Sequence, residues 1–223
     1  MPWFELVCLA NSRKLGARCI AGIDLAERVW RRPVSGLPGG ELQAEDYTLD
    51  NGQPVKPLDV FHVRVAQRAS TQYQPENWTI TSDPWRYLRK LRRDEALELL
   101  TSFAVSGPVL LRGTGDRIAE SELLASPIEH SLAIVRPRNL RFFIDTSFTG
   151  KRQTRAWFTL SGQSYYLSVT DPTWEHRLSS EPVGEVADAT VGIGPRNRVF
   201  LTISLGEPFR ECCYKLVAAV IVL

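Results

Sequence analysis

The chain has 223 residues, of which 43% are apolar and 23% are charged, with a formal net charge of +2. This composition is typical of globular domains and excludes an intrinsically disordered chain. The small net charge excludes a protein that attracts nucleic acid by its overall charge, so any such preference must come from the distribution of its charged side chains.

The cysteines and the chain ends bear on the cellular compartment. Cys8, Cys19, Cys212 and Cys213 form no CxxC pair and no other metal-ligand spacing. The first residues lack the basic and long apolar regions of a signal peptide, so we expect a cytoplasmic protein with reduced thiols. The apolar run 216–223 is about half the length of a membrane-spanning helix, and we expect a buried closing strand and no membrane contact.

The first half of the chain predicts short strands separated by turns, with Gly16 in the first turn. A helix is predicted over 83–103, with Asp83 as its N-cap and Pro84 in its first turn, because leucines recur along one side. The arginines of this helix are interpreted as a solvated face. The predicted strands cover 4–9, 17–25, 28–34 and 58–65.

A second series of strands begins at residue 131. Its five candidates occupy roughly 95 residues, which fits a small closed barrel or a sandwich. A segment rich in glycine and acidic residues, 107–130, precedes this series, and we expect the domain boundary within it. Two comparable β-modules joined by a helix-containing connection are therefore predicted, without an obvious residue-level repeat. The five candidates are "SLAIVRPRNLRFFID", "RAWFTLSG", "SYYLSVTDP", "RVFLTISLG" and "CYKLVAAVIVL".

Several stretches of the sequence resemble the bacterial dual OB domain family, and they occur in the same order over residues 5–222. The matching stretches are "CLANSRKLGARCIAG", "RRPVSGLPGGEL", "QYQPENW", "YYLSVTDPTWE", "LGEPF" and "CYKLVAAVI". The resemblance implies a mainly β protein with two tandem OB-like barrels. With the boundary placed within 107–130, we expect the first barrel, including the helix, over 1–126 and the second over 127–223. It also implies nucleic-acid binding and an association with phage defence, and it brings no catalytic residue.

The strongest charge feature lies within 131–160, where six cationic residues accompany one acid, Asp145, for a local net charge of +5. Aromatic residues are interleaved with them. Single-strand binding on an OB barrel uses this mixture, because arginines neutralise phosphates and aromatic rings stack on bases. Strand alternation requires that at least half of these aromatics belong to the barrel core. The cations are Arg136, Arg138, Arg141, Lys151, Arg152 and Arg155, and the aromatics are Phe142, Phe143, Phe148, Trp157 and Phe158.

A second polar and cationic set lies in the first half of the chain. If the first three strands pair in order, their ends converge on one rim, where hydroxyl, amide and guanidinium groups could hold a phosphate or another oxyanion. Solvated turn residues would give the same pattern, so both interpretations stay open. The set comprises Asn11, Ser12, Arg13, Lys14, Arg18, Arg31, Arg32 and Ser35.

A third group, Asp171, Glu175 and His176, raises the hypothesis of a metal site or a general base. The spacing matches no hydrolase signature, and Asp171 before a proline is better explained as a cap of backbone amides. Walker loops, nucleophile elbows and HExxH are absent from the sequence, and we expect no cofactor and no metal.

We therefore predict a non-enzymatic module that binds single-stranded nucleic acid or a nucleotide. The alternative is a scaffold or sensor subunit for a partner protein encoded nearby. A metal-dependent nuclease is less favoured.

Overall fold

The computed structural model describes residues 1–147 and 150–223 and consists mainly of β-strands in two sheets, as predicted. The sheet of the first unit is formed by β1 (Trp3–Lys14), β2 (Ala17–Asp24), β3 (Val29–Val34), β4 (Asp59–Arg68), β5 (Asn77–Ile80) and β6 (Arg86–Lys90). Helix α1 (Ala44–Tyr47) lies between β3 and β4, and helix α2 (Arg93–Phe103) follows β6.

The first sheet closes on itself. Its strands run in the order β1-β2-β3-β5-β4, and β4 pairs again with β1, while β6 is added alongside β4. β3 and β5 are parallel, and the other pairs are antiparallel. This arrangement is the five-stranded Greek-key barrel of an OB fold.

The second unit is also a β-structure with short helices. Its strands are β7 (Arg117–Ala119), β8 (Leu132–Val135), β9 (Arg138–Thr146), β10 (Arg152–Leu160), β11 (Gln163–Val169), β12 (Gly184–Glu185), β13 (Val199–Phe209) and β14 (Cys212–Val222). Its helices are α3 (Glu120–Ala125), α4 (Pro172–Arg177) and α5 (Asp188–Val191).

The second unit repeats the strand order of the first. Its sheet runs β9-β10-β11-β14-β13, and β11 and β14 form the parallel pair. β8 pairs with β13, and β9 pairs with β10, so β8 and β9 together take the position that β1 holds in the first unit. The break between them falls at Pro137, which has no N–H to donate to a sheet. The two units thus share one topology without a visible sequence repeat.

The β1–β2 hairpin ends in a two-residue turn, which confirms the prediction for Gly16. Lys14 pairs with Ala17, and the residues between them, Leu15 and Gly16, both have positive φ angles, of 48° and 84°. Such angles define the type I′ turn that suits the twist of a hairpin, and glycine adopts them without strain. The turn is therefore tight, and Lys14 is the last residue of β1 before it.

A buried apolar cluster joins the two units. The outer faces of β1, β2 and β3 pack against the outer faces of β8, β13 and β14, with α2 covering one side. Each unit also has its own barrel core. The outer face of β1–β3 is therefore occupied by protein. Members of the cluster include Leu9, Ile23, Trp30, Leu100, Ile134, Phe200 and Ile221.

The predicted helix over 83–103 is wrong in its first half. Residues Arg86–Lys90 form β6, which pairs with β4, and helix α2 begins only at Arg93. Trp85 explains the extended start, because its buried indole stacks on Phe61 with ring centroids 4.9 Å apart. Asp83 is not an N-cap, since its carboxylate accepts a hydrogen bond from the Thr81 hydroxyl.

The segment before residue 127 contributes to the second sheet. β7 pairs with β14, and Ile118 and Leu123 pack with Leu205 and Cys213 of the second unit. The boundary at 126/127 stays a prediction, but this pairing argues for an earlier division. The apolar run at the C-terminus is buried in β14, as expected. No helix in the described part of the chain is long and apolar enough to cross a membrane.

Candidate nucleic-acid interface

A cleft of about 700 Å³ lies between the two units. The first unit contributes the end of the β1–β2 hairpin, and the second contributes the outer face of β9–β11 and the end of the β13–β14 hairpin. The cleft thus brings part of the first-unit set together with part of the second-unit set. Its polar and aromatic lining includes Ser12, Arg13, Lys14, Asp116, Arg117, Asp145, Gln153, Arg155, Tyr166, Ser168, Glu207, Tyr214 and Lys215.

Strand alternation on β10 separates core residues from surface residues. Ala156 and Phe158 are fully buried in the barrel core, whereas Arg155 and Trp157 point to the outer face and stay partly exposed. Phe142 on β9 is likewise buried in the core. Two of the four aromatic residues of this set that the structure describes, Phe142 and Phe158, therefore belong to the core, where at least half of the set was expected.

The outer face of β9–β11 is a continuous row of aromatic and cationic side chains. Trp157 is paired in register with Tyr166 of β11 and with Arg141 of β9, and Arg155 is paired with Phe143. Phe143 and Tyr166 make an edge-to-face contact, with centroids 5.7 Å apart. All three aromatic rings on this face are only partly buried. The face therefore offers ring surfaces to a ligand.

Arginines accompany these rings at cation–π distance. The guanidinium carbon of Arg155 lies 4.3 Å from the Tyr166 ring centroid, and that of Arg141 lies 5.9 Å from the Trp157 centroid. Arg155 also donates a 2.8 Å hydrogen bond to the Tyr166 carbonyl, which fixes its position. Arg141 forms a 3.1 Å ion pair with Glu185. Arg155 and Tyr166 line the cleft, whereas the part of the face with Phe143, Trp157 and Arg141 continues beyond it.

The charges in the cleft are mixed, with five cations against three acids. The Tyr166 hydroxyl donates a 3.3 Å hydrogen bond to Asp145. Burial and the nearby Asp145 carboxylate raise the pKa of Tyr166, so the phenol stays protonated and keeps its hydrogen bond to Asp145. The lining therefore combines positive charge, hydrogen-bond donors and aromatic surface. The cations are Arg13, Lys14, Arg117, Arg155 and Lys215, and the acids are Asp116, Asp145 and Glu207.

Lys215 on β14 forms the inner wall of the cleft. The residue is 1% exposed, and its ammonium donates 2.7 Å hydrogen bonds to the carbonyls of Gly113 and Gly115. Burial lowers its pKa to about 8, because desolvation disfavours the charged form. Lys215 thereby holds the 113–115 loop against the second barrel.

Part of the predicted set of the first unit reaches the cleft. Ser12, Arg13 and Lys14 line it, near the end of the β1–β2 hairpin. Asn11 is not in the lining, and its amide donates a 2.7 Å hydrogen bond to the Val55 carbonyl. The hairpin tip therefore carries the contribution of the first unit.

The other predicted residues of the first unit lie outside the cleft. Arg18 lies at the start of β2 and donates to the Ala17 carbonyl at 3.5 Å, and the Ser35 hydroxyl donates to the Glu41 carbonyl. Arg31 pairs with Gly22 in register, several residues away from the hairpin tip, and lies over aromatic rings of the first barrel. The expected convergence on one rim is therefore wrong for Arg31.

Arg32 is a second correction. Its side chain is fully buried between the units and donates hydrogen bonds of 3.0 and 3.1 Å to the hydroxyls of Ser131 and Ser204. The Ser131 hydroxyl in turn donates a 2.7 Å hydrogen bond to the buried carboxylate of Glu76. Arg32 therefore links the two units from inside and is not accessible to nucleic acid.

The predicted cations of the second unit are dispersed. Arg136 lines a separate pocket of about 380 Å³, and Arg138 is exposed at the start of β9, the end of that strand far from the cleft. Arg152 donates to the Leu178 carbonyl at 3.1 Å and to the Glu181 carbonyl. Lys151 is exposed beside the β9–β10 loop. Of the six cations, Arg141 and Arg155 share the outer face of β9–β11. Phe148 lies outside the described residues.

The group around Asp171 has a structural role. Its carboxylate accepts hydrogen bonds from the backbone N–H groups of Thr173, Trp174 and Val220, so it caps α4 and ties the helix to β14, as predicted. Glu175 forms a 2.9 Å ion pair with Arg13 of the first unit. Within the residues that the structure describes, no three His, Cys, Asp or Glu side chains lie close enough together to hold a metal ion.

The sequence reasoning missed several cleft residues, notably Tyr166, Glu207 and Lys215. The alternation in "SYYLSV" could have identified Tyr166, since adjacent tyrosines on a strand point to opposite faces and only one can join the core. The contribution of Lys215 and Glu207 depends on how the two units meet, which no local pattern reports.

The comparisons with known proteins concern the whole chain. The sequence model of the family described as "Dual OB-containing domain" matches residues 4–220. The chain matches no curated protein. A solved structure described as the crystal structure of the tetrameric p202 HIN2 aligns with 100% of this chain and 94% of its own, at 6% sequence identity and a TM-score of 0.27. A TM-score this low supports no conclusion about fold or function.

Proposed function

This chain belongs to the dual OB-containing domain family, and from that membership we propose that it binds single-stranded nucleic acid, or a nucleotide, at the cleft between its units and along the adjoining outer face of β9–β11. OB barrels hold oligonucleotides on strands 2 and 3 and on the loops beside them. In the second unit these strands are β10 and β11, whose outer face lines the cleft. In the first unit the corresponding face is buried against the second unit.

One observation carries the proposal: the outer face of β9–β11 presents Phe143, Trp157 and Tyr166 with Arg141 and Arg155 between them. Stacking of a base on an aromatic side chain contributes about 1–3 kcal/mol, and this contribution depends little on base identity. The guanidinium groups can neutralise phosphates of the same strand. The face therefore favours a single strand over a duplex, whose bases are not free to stack.

The first unit contributes the end of its β1–β2 hairpin to the cleft. Arg13 and Lys14 lie at this end and line the cleft together with Arg155 and Tyr166 of the β9–β11 face. Both side chains already form ion pairs with acids of the second unit, Glu175 and Glu207. A phosphate that enters the cleft would compete with these carboxylates for the two cations.

The proposal is tested by fluorescence anisotropy with short labelled DNA and RNA oligonucleotides, single-stranded and duplex. We expect binding of the single strands that weakens as salt increases, because bound phosphates release counterions. The absence of any binding at low salt, where phosphate contacts are strongest, would contradict the proposal.

A second candidate function is that of a scaffold or sensor subunit with a protein partner. The observation that favours it is the packing of the β1–β3 face against the second unit, since an OB face in this protein already serves as a protein contact. Co-purification with the product of a neighbouring gene, unchanged by nuclease treatment, would support this function over nucleic-acid binding.

We also propose that the protein serves a bacterial defence system, in line with the family resemblance. The test is the plating efficiency of a phage panel on cells that carry the gene with its neighbours. We expect protection with the intact gene and reduced protection with the Trp157→Ala variant, and equal plating on all strains would contradict a defence role.

A further inference from the structure

The segment that the sequence suggested as a helix face is instead an exposed basic strand. Residues 86–93 contain five cations and no acid. On β6, Arg86, Leu88, Arg89 and Lys90 are all exposed, and β6 pairs only with β4 among the described strands. The structure thus gathers several positive charges at a sheet edge that does not line the cleft.

An exposed tryptophan lies over the neighbouring strand. Trp3 is 40% exposed on the outer face of the first barrel. The guanidinium carbon of Arg64 on β4 lies 5.8 Å from its ring centroid, and that of Arg86 on β6 lies 5.2 Å away. Because these arginines belong to two different strands, the indole extends across β4, with its exposed surface toward solvent. His62 lies beside it, with ring centroids 6.2 Å apart.

Not all of these cations are neutralised. Arg64 pairs with Asp83 at 3.4 Å, and Arg89 pairs with Glu95 at 2.9 Å. Within the described part of the chain, Arg86 and Lys90 have no carboxylate within the 4.0 Å of an ion pair. Asp83 and Asp59 act on Arg86 and Lys90 from beyond that distance. An exposed ring next to cations that form no ion pair is the combination that binds a base together with its phosphate.

We propose that Trp3 and β6 form a second contact site for single-stranded nucleic acid, the Trp3–β6 surface. A base stacks on the indole of Trp3, and adjacent phosphates contact Arg86 and Lys90. The inference shares its ligand class with the proposed function but uses a different surface, since none of these residues lines the cleft. The first barrel, whose β1–β3 face is buried, would thus bind through its opposite side.

The test counts bound oligonucleotides in four proteins by native mass spectrometry and by calorimetry. The oligonucleotide is a single-stranded DNA of about six nucleotides, a length within the range that one OB fold binds. The proteins are the wild type, Trp3→Ala/Arg86→Ala, the combination of Arg155→Ala in the cleft with Trp157→Ala on the adjoining face, called the cleft variant, and a protein with all four substitutions. We expect two bound oligomers on the wild type and one on each double variant. At the altered site the affinity should fall about tenfold or more, as expected for the loss of one stacked base.

The four proteins separate this inference from the proposed function. Loss of a bound oligomer in the Trp3 variant but not in the cleft variant would support the Trp3–β6 surface and contradict the cleft. Unchanged stoichiometry and affinity in the Trp3 variant would overturn the proposal that the Trp3–β6 surface binds nucleic acid. Arg28→Ala is a matched control, because Arg28 also lies over an aromatic ring, Phe103 at 5.1 Å, and belongs to neither site. Photocrosslinking of a 4-thiothymidine oligomer should label the peptide that contains Trp3, and labelling confined to other peptides would also overturn it.

Discussion

The ammonium group of Lys14 lies 2.9 Å from a carboxylate oxygen of Glu207, and this ion pair joins the β1–β2 hairpin of the first unit to β13 of the second. Both side chains line the cleft and both are mostly shielded from solvent, at 13% and 34% exposure. A phosphate that enters the cleft would therefore compete with the Glu207 carboxylate for the ammonium group of Lys14.

We expect Glu207→Gln to strengthen oligonucleotide binding about two- to fivefold, because it removes a negative charge from the cleft and releases Lys14 for a phosphate. Anisotropy titrations at two salt concentrations measure the change, which should be larger at low salt. Glu27→Gln is the control, since Glu27 pairs with Arg31 outside the cleft. Weaker binding by the Glu207→Gln protein would show instead that the ion pair supports the ligand.

Trp157 and Phe158 are neighbours in sequence on opposite faces of β10, and their replacement should affect different properties, binding and stability. Trp157→Ala should weaken binding by about 1–3 kcal/mol with little loss of stability, since it removes a stacking surface. Phe158→Ala should lower the free energy of unfolding by about 3–5 kcal/mol, since it leaves a cavity in the core. Urea denaturation and anisotropy on both proteins measure the two effects. Equal loss of stability in both variants would contradict the assignment of faces.

Arg32 should matter for stability and not for direct binding. Arg32→Met removes a buried guanidinium and leaves the hydroxyls of Ser131 and Ser204 without their donor. We expect the free energy of unfolding to fall by about 3 kcal/mol, as for other buried charged hydrogen bonds that lose one partner. Oligonucleotide affinity of the folded fraction should stay unchanged. A loss of oligonucleotide affinity with an unchanged urea midpoint would contradict this prediction and would indicate that Arg32 contacts the ligand.

Lys215 gives the protein a pH dependence of known sign. Burial lowers its pKa from 10.5 to about 8 in the folded chain. Between these pH values the unfolded chain keeps a proton that the folded chain has released, so the free energy of unfolding rises with pH by at most about 3 kcal/mol. Below pH 8 both states are protonated, and the contribution is constant at its lowest value. Lys215→Met should abolish this rise.

The measurement is urea denaturation of wild type and variant at about pH 7, 9 and 10. Both proteins are needed because the tyrosines and cysteines of the unfolded chain also titrate in this range, and their contribution is common to both. The difference in the free energy of unfolding between wild type and variant should grow in favour of the wild type as pH increases. A difference that stays constant over this range would contradict the assignment.

The sequence predicted the strands more reliably than the site. Apolar runs on either side of a turn identified β1 and β2, and alternation identified β4 and in part β3. The tight turn at Gly16 followed from a residue type that tolerates positive φ. The error at 86–90 has a clear cause: leucines at helical spacing are compatible with a helix, but the burial of Trp85 against Phe61 and the free edge of β4 favour an extended strand. The local pattern of 86–90 is compatible with a helix or a strand, and the pairing with β4 selects the strand.

The binding residues were harder to predict because their roles depend on contacts between distant segments. Arg155 and Arg152 lie three residues apart in a basic run, yet one lies beside Tyr166 on the cleft face and the other bonds carbonyls of the loop after α4. Arg31 and Arg32 differ in the same way, since one lies over aromatic rings of the first barrel and the other is buried between the units. Composition identified the cations, but only the arrangement of the two barrels determines which of them a ligand can reach.

The apolar cluster between the units has a kinetic consequence. With Trp30, Phe200 and Ile221 packed in one continuous core, neither barrel can rotate against the other without exposing that core to water. The walls of the cleft are therefore in place before a ligand arrives, and binding should proceed in a single diffusional step without a closing motion. Association rates measured by stopped flow should then increase in proportion to oligonucleotide concentration without reaching a plateau, and ionic strength should control them.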